Sequence, residues 1–334
     1  MRRLIWILLI LSILWCAWWA VFGFGLKTGL ETWFKDRRDA GWQAEYSTLE
    51  LHGFPTRVRA DFTAIELADP LAGLAISLPA LGISAPTYWP GDVTVDLPNT
   101  PIQISTPQQK SEVTVQNGKA DLRLHPGTAL ELEQLSLTTD VWLASSQVGA
   151  LYGADDLTLS MIQSDDDPNR YSFVARAKGF KPDDIPRAKL RVPQSWPLTF
   201  ETLELDGNVT FSRPWDLDAI ENNRPQPRKI QLKLAEAAWS DLRVFFAADL
   251  LVDDQGVPSG TVNIQAENWK IILDLAQDAE LINPTVRRQA EQALSQLARF
   301  SGDPNALDVQ LNFRAGFMAV GIIPIGPAPR LILR

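Results

Sequence analysis

The chain is poor in the residues that most often carry enzyme chemistry. Its 334 residues include one cysteine, Cys16, and two histidines, His52 and His125. A single cysteine excludes an intramolecular disulfide and therefore a disulfide-stapled secreted scaffold. The sequence has no H-x-x-x-H or C-x-x-C ligand spacing, no G-x-S-x-G elbow and no Gly-rich phosphate loop. We therefore predict no catalytic, cofactor-binding or metal-binding residues. A hydrolase would need His52 or His125 in a pocket beside a nucleophile.

The charge balance argues against one class of partner. The chain has 31 Lys and Arg against 40 Asp and Glu, a net charge of −9. Because phosphate binding needs clustered basic residues, we expect no nucleic-acid partner. The acidic run Asp165–Asp167 lacks the alternating register of a calcium loop. We predict that it is a hairpin turn, and that Asp253 and Asp254 lie in another turn.

The first 26 residues hold the one long apolar run that we find. Arg2 and Arg3 precede LIWILLILSILWCAWWAVFGFGL, residues 4–26, which carries no charge. About 20 apolar residues span the roughly 30 Å hydrocarbon core of a bilayer. A cleaved signal peptide would have a shorter apolar core that ends in small residues, where this chain has Trp18 and Trp19. We predict that residues 1–27 are an uncleaved transmembrane helix, a signal-anchor.

The basic residues around this run bear on its orientation. Arg2 and Arg3 favour a cytoplasmic N-terminus, although Lys27 and further basic residues follow the run. No second run of this length occurs. We expect a single-pass membrane protein whose C-terminal body is exported.

Beyond the apolar run, residues 28–45 have helical spacing and the rest of the chain has strand spacing. The segment 28–45 is expected to be an amphipathic helix, which either lies on the membrane surface or packs on the folded body. From residue 46 the apolar positions alternate with a period of two, as in RVRADF, where Val58, Ala60 and Phe62 alternate with charged residues. We predict a β-rich body over residues 46–334, with a subdivision near 213–229.

Local signals predict particular turns and one later helix. Asn117-Gly118 and Asp206-Gly207 are dipeptides typical of tight hairpin turns. Asn283 followed by Pro284 predicts the start of a helix, because asparagine caps helices and proline fits their first turn. The apolar C-terminal tail, broken by Gly and Pro, predicts two terminal strands. The fold class is therefore mainly β: an N-terminal transmembrane helix, then a large, curved, mostly antiparallel sheet with a few helices.

Residues 41–70 resemble the start of a known bacterial family. The residues that carry the resemblance are Gly41-Trp42, Tyr46, Leu49, Gly53-Phe54-Pro55 and Arg57. The family is an uncharacterised, membrane-anchored domain-of-unknown-function family, chiefly alphaproteobacterial and distantly similar to AsmA-like envelope proteins. The closing stretch, residues 321–329, also looks like the end of an AsmA-like module. The resemblance implies a half-barrel or sandwich sheet and a role in phospholipid transport or outer-membrane homeostasis. It also implies a single-pass protein of the bacterial inner membrane, with its C-terminal body in the periplasm.

Two functions remain open at this point. In the first, which we favour, the protein is not an enzyme but binds or shields lipid on an open apolar sheet face, with membrane lipids and envelope proteins as partners. In the second, the sheet is self-packed and the protein is a structural scaffold or assembly factor of the cell envelope. The two differ in whether the apolar face of the sheet is open or buried.

Overall fold

The computed structural model of the chain describes residues 2–70, 72–146, 149–182, 188, 191–221, 223–301, 303–321 and 323–333. Within these residues the helices are α1 (Arg2–Asp39), α2 (Leu217–Glu221), α3 (Lys270–Asp278) and α4 (Pro284–Ser301). The first ten strands are β1 (Gln43–Glu45), β2 (Thr48–His52), β3 (Arg57–Asp69), β4 (Leu74–Pro86), β5 (Asp92–Asp96), β6 (Ile102–Ser105), β7 (Lys110–Val115), β8 (Lys119–Leu124), β9 (Leu132–Thr139) and β10 (Trp142–Ser146). The remaining strands are β11 (Gly149–Ala154), β12 (Asp156–Ser164), β13 (Asp167–Lys178), β14 (Thr202–Phe211), β15 (Pro227–Trp239), β16 (Leu242–Val252), β17 (Pro258–Glu267), β18 (Ala306–Arg314), β19 (Phe317–Val320) and β20 (Ile323–Pro327).

The prediction of a mainly β chain with one long apolar N-terminal helix is confirmed. The strands form one large antiparallel sheet that is not closed. The chain divides into two compact units. The first unit comprises Met1–Pro126 and Ser136–Gly149, and the second comprises Gly127–Leu135 and Ala150–Arg334. Residues 213–229, where we expected a subdivision, lie inside the second unit.

In the first unit, the alternating pattern of β3 places one face of the strand against α1. Val58, Ala60 and Phe62 are buried, with exposures of 0–2%. On the other face, Arg59 binds Asp61 and Asp96 through N–O contacts of 2.8 and 2.5 Å. Phe62 forms a core with Phe34 of α1. The apolar face of β3 is therefore covered by helix α1 of the same chain.

Helix α1 runs without a break from the apolar run into the segment that we expected to be a separate helix. It ends at Asp39, and Gln43–Glu45 is already a strand. No proline interrupts residues 2–39, so the backbone hydrogen bonds continue through Lys27. Trp33 and Phe34 pack on the sheet. Apolar residues of the segment 28–39 thus contribute to the core of the first unit.

In the second unit, strands β12 to β18 pair in sequence order, each antiparallel to the next. The prediction for the late helix is confirmed. Asn283 Oδ1 accepts the backbone N–H groups of Thr285 and Val286 at 3.0 and 2.9 Å, and Pro284 is the first helical residue. The two terminal strands, β19 and β20, are also confirmed. Ile322, in the closing stretch, lies outside the described residues.

The predicted hairpin turn at Asp206-Gly207 is wrong, because both residues lie inside β14. The pairing register with β15 shifts between them. A Cβ atom on Gly207 would lie 2.8 Å from the carbonyl oxygen of Gln231. The glycine therefore permits a close approach of two backbones at a bulge, not a turn.

We expect Gly207→Ala to destabilise the second unit. The added methyl group must push back the Gln231 carbonyl, at a cost of about 1–3 kcal/mol for an overpacked site. Gly326→Ala is the matched control, since a Cβ there meets nothing within 4 Å. Urea unfolding followed by circular dichroism on the full-length protein compares the two. Equal stability of the two variants would contradict this explanation of Gly207.

Candidate functional site

The second unit has one face that is apolar across seven strands. Because directly paired residues share a face of a sheet, the register of β12 to β18 defines rows of side chains that cross all seven strands. The row that we call row A consists of Leu159, Ala175, Leu205, Ala235, Phe246, Ile264 and Val309. The next row, row B, consists of Met161, Phe173, Gly207, Leu232, Ala248, Val262 and Leu311. Neither row contains a polar side chain.

The rows on either side extend this apolar face. One consists of Leu157, Ala177, Leu203, Ala237, Val244, Ala266 and Leu307. The other, which begins at Tyr171 on β13, consists of Tyr171, Val209, Ile230, Leu250, Gly260 and Phe313. We call the four rows together the apolar face.

The opposite face of the same strands is mostly polar. The row one residue away from row A consists of Thr158, Arg176, Glu204, Glu236, Phe245, Gln265 and Asp308. Arg176 Nε lies 3.5 Å from Glu204 Oε2 in this row. The contrast between the two faces is that of a sheet with one dry and one wet side.

Two cores close the ends of the apolar face. At one end, Trp269 and Ala298 of the helical segment pack on Ala266 and Leu307. At the other end, Tyr171 and Phe211 pack with Met161, with Trp215 against them. Between these cores most of row A and row B is only half-buried, and Leu205 is 39% exposed. The described residues therefore leave the middle of the apolar face partly uncovered.

The end core at Tyr171 contains a network of hydrogen bonds. The Tyr171 hydroxyl accepts the backbone N–H of Trp215 at 3.0 Å and donates to the Leu132 carbonyl at 3.2 Å. Gln163 Nε2 lies 3.2 Å from the same hydroxyl. Burial raises the pKa of Tyr171 above its usual value, more strongly than the Trp215 N–H lowers it. The hydroxyl stays protonated at neutral pH and fixes Trp215 over the end of the apolar face.

We expect Tyr171→Phe to destabilise the protein by about 1–3 kcal/mol, because the Trp215 N–H and the Leu132 carbonyl lose a buried partner. Tyr152→Phe is the control, since Tyr152 is 46% exposed. Urea unfolding of both variants, followed by circular dichroism, measures the difference. A Tyr171→Phe variant as stable as the control would contradict the structural role of this network.

A depression on strands β15 to β18 draws its lining from both faces of the sheet. It has a volume of about 610 Å³, and its lining includes Phe246, Ile264 and Val309 of row A as well as Gln265 and Asp308 from the other face.

The histidines and the acidic turn residues that we considered as candidate site residues do not belong to the four rows of the apolar face. His52 is exposed on β2, with Nε2 3.4 Å from Glu50 Oε2, and His125 is exposed after β8. Asp165 and Asp166 lie in the turn between β12 and β13, as predicted, whereas Asp167 is the first residue of β13.

Asp253 and Asp254 lie in the connection between β16 and β17, which confirms that prediction. Asp253 Oδ1 accepts the Gln255 and Val257 N–H groups at 2.8 Å, so this carboxylate shapes the turn. Asp254 Oδ1 lies 2.6 Å from Arg228.

A comparison with models of protein families identifies the family of the chain. The model described as "Uncharacterized protein conserved in bacteria (DUF2125)" matches residues 19–329. The chain belongs to this family. The DUF2125 match begins inside α1 and ends after β20, so it includes all four rows of the apolar face. No curated protein and no solved structure matches the chain.

Proposed function

We propose that this DUF2125 protein is a membrane-anchored lipid-binding protein, and that the apolar face of its second unit holds lipid acyl chains. The observation that carries the proposal is the half-buried middle of that face, where row A and row B present only apolar side chains across seven strands. Soluble proteins seldom leave contiguous apolar surface uncovered unless it binds a partner or a ligand. An acyl chain is a partner of matching chemistry.

The dimensions of the face suit this ligand. Six spacings of about 4.8 Å separate β12 from β18, so row A follows the sheet for about 29 Å. The hydrocarbon layer of one leaflet is about 15 Å thick, half of the roughly 30 Å core. Row A is therefore long enough to receive a whole acyl chain. Row A and row B contain no ionisable group that would have to lose its water when a chain binds.

Helix α1 supports the membrane part of the proposal. Within the described residues it is the one helix long and apolar enough to cross a bilayer. We propose that it anchors the protein in the bacterial inner membrane, with the body in the periplasm, as Arg2 and Arg3 favour. From the distant resemblance of the family to AsmA-like envelope proteins, we further propose a role in phospholipid transport or envelope homeostasis. The mechanism is passive: the apolar face shields the acyl chains from water.

Native mass spectrometry of the full-length protein tests the binding. The protein is released from detergent micelles at an activation energy that strips loosely held lipid. We expect one or two phospholipid molecules to remain bound in near-stoichiometric amount. A protein that keeps no lipid, and takes up none when phospholipid is added to the micelles, would overturn the proposal and favour an envelope scaffold.

A further inference from the structure

Three tryptophans of α1 bind one end of the sheet in the first unit. Nε1 of Trp15 donates to the Pro55 carbonyl at 2.9 Å, and Nε1 of Trp18 donates to the Thr87 carbonyl at 2.9 Å. Nε1 of Trp19 donates to the Arg57 carbonyl at 2.7 Å. The accepting carbonyls belong to, or adjoin, the two segments 53–56 and 86–91, which we call the tip.

The tip is apolar and carries exposed aromatic side chains. Its sequences, GFPT and PTYWPG, contain no charged residue. Phe54, Tyr88 and Trp89 are 54%, 72% and 44% exposed, and Phe54 packs edge-on against Trp19 at 5.5 Å between ring centroids. Aromatic residues of this kind concentrate where a membrane meets water.

Most carbonyls of the tip are hydrogen-bonded within the protein. Besides the carbonyls bound by Trp15 and Trp18, those of Gly53, Thr56, Pro86, Trp89 and Gly91 accept hydrogen bonds from backbone N–H groups. The prolines at 55, 86 and 90 have no N–H to satisfy. In hydrocarbon each unsatisfied backbone group costs several kcal/mol, so this pairing lowers the cost of placing the tip in lipid.

The position of the three tryptophans along α1 sets the depth of the tip. From Leu4, where the apolar run begins, Trp15 is about 16 Å along the helix and Trp19 about 22 Å, at 1.5 Å per residue. A hydrocarbon core of roughly 30 Å that begins at Leu4 has its midplane at about 15 Å. The carbonyls bound by these indoles are therefore at a depth inside the leaflet on the body's side.

We propose that the tip inserts into this leaflet beside α1 and that its partner is the lipid bilayer itself. The proposal rests on the membrane crossing of α1 that forms part of the proposed function. The Trp donors join the helix and the tip, which Arg57 and Asp92 border, and the exposed aromatic side chains of the tip face lipid. The first unit is thus held at the membrane by its own strand ends as well as by the anchor.

Site-directed spin labelling of the full-length protein in phospholipid vesicles tests the insertion. In a Cys16→Ala background, single labels are attached at Tyr88→Cys in the tip, Ile10→Cys in α1 and Gln108→Cys. Gln108 is exposed in the loop after β6, and β6 pairs with the end of β4 that is remote from the tip. Collision rates with oxygen, which enters lipid, and with a water-soluble nickel chelate give the depth of each label.

We expect the labels at positions 10 and 88 to collide mainly with oxygen and the label at position 108 mainly with nickel. A lipid signal at position 10 with a water signal at position 88 would overturn tip insertion while leaving the anchor intact. A water signal at position 10 would overturn the membrane crossing and the tip proposal together. Circular dichroism of each labelled protein checks that it is folded.

Discussion

Replacement of Leu205 by glutamate is expected to lower the amount of phospholipid bound by the full-length protein by at least about tenfold. Leu205 lies in row A between Ala175 and Ala235 and is 39% exposed. An acyl chain on row A would have to strip water from the new carboxylate, and no basic residue of row A could compensate it. A loss of 1.4 kcal/mol in binding free energy is already a tenfold loss in affinity.

Leu234→Glu provides the matched control for this variant. Leu234 is 38% exposed, almost the same as Leu205, but it pairs with Asp206 and therefore lies on the other face of the sheet. We expect this variant to retain lipid like the unmodified protein in native mass spectrometry. Equal retention by the Leu205 and Leu234 variants would contradict a lipid site on the apolar face.

Trp269→Ala is expected to lower the free energy of unfolding of the second unit by about 3–5 kcal/mol, the usual cost of removing a buried tryptophan side chain. Trp269 is 1% exposed and packs with Ala266, Ala298 and Leu307. Its indole N–H donates to the Pro304 carbonyl at 3.2 Å. The substitution leaves a cavity under α4 and removes the donor of that hydrogen bond.

Urea unfolding of the full-length protein, followed by hydrogen exchange of peptides from β17 and α4, measures this loss. Ile272→Ala is the control in the neighbouring helix α3, because Ile272 is 41% exposed. We expect it to cost less than about 1 kcal/mol, as is usual for surface positions. A similar loss in both variants would show that Trp269 does not anchor the end core.

Much of the fold follows from local patterns in the sequence. The alternation in RVRADF predicts which side of β3 is buried, and Val58, Ala60 and Phe62 are buried. Asn283 and Pro284 predict the start of α4 for reasons that need no tertiary structure, since capping and proline geometry act within one turn. The long apolar run predicts α1 on hydropathy alone.

Other features depend on contacts between distant residues and could not be read locally. Asp206-Gly207 has the composition of a tight turn, but the bulge in the facing strand β15 makes it a point of close backbone approach. Asn117 has the positive φ, 50°, expected for its turn signal, yet β7 pairs with β6 and β10 while β8 pairs with β5. Which strands pair is decided by the whole sheet.

The candidate site, too, follows partly from local sequence patterns and partly from contacts between distant residues. Each strand from β12 to β18 shows its apolar face in the sequence as alternate residues, so the kind of surface could be predicted. The rows that make it continuous depend on the register of six strand pairs, which no single strand determines. The tip is a comparable case, because only the hydrogen bonds from Trp15, Trp18 and Trp19 reveal how far along α1 it lies.

Photo-crosslinking tests the lipid site most directly. Full-length protein in detergent is irradiated with a phospholipid that carries a diazirine in its acyl chain, and the modified residues are found by peptide mass spectrometry. Crosslinks in the second unit are predicted to fall on row A and row B, at residues such as Leu205, Phe246 and Ile264, in addition to those on α1. Crosslinks confined to α1 and the tip, with none on the apolar face, would contradict the proposed function.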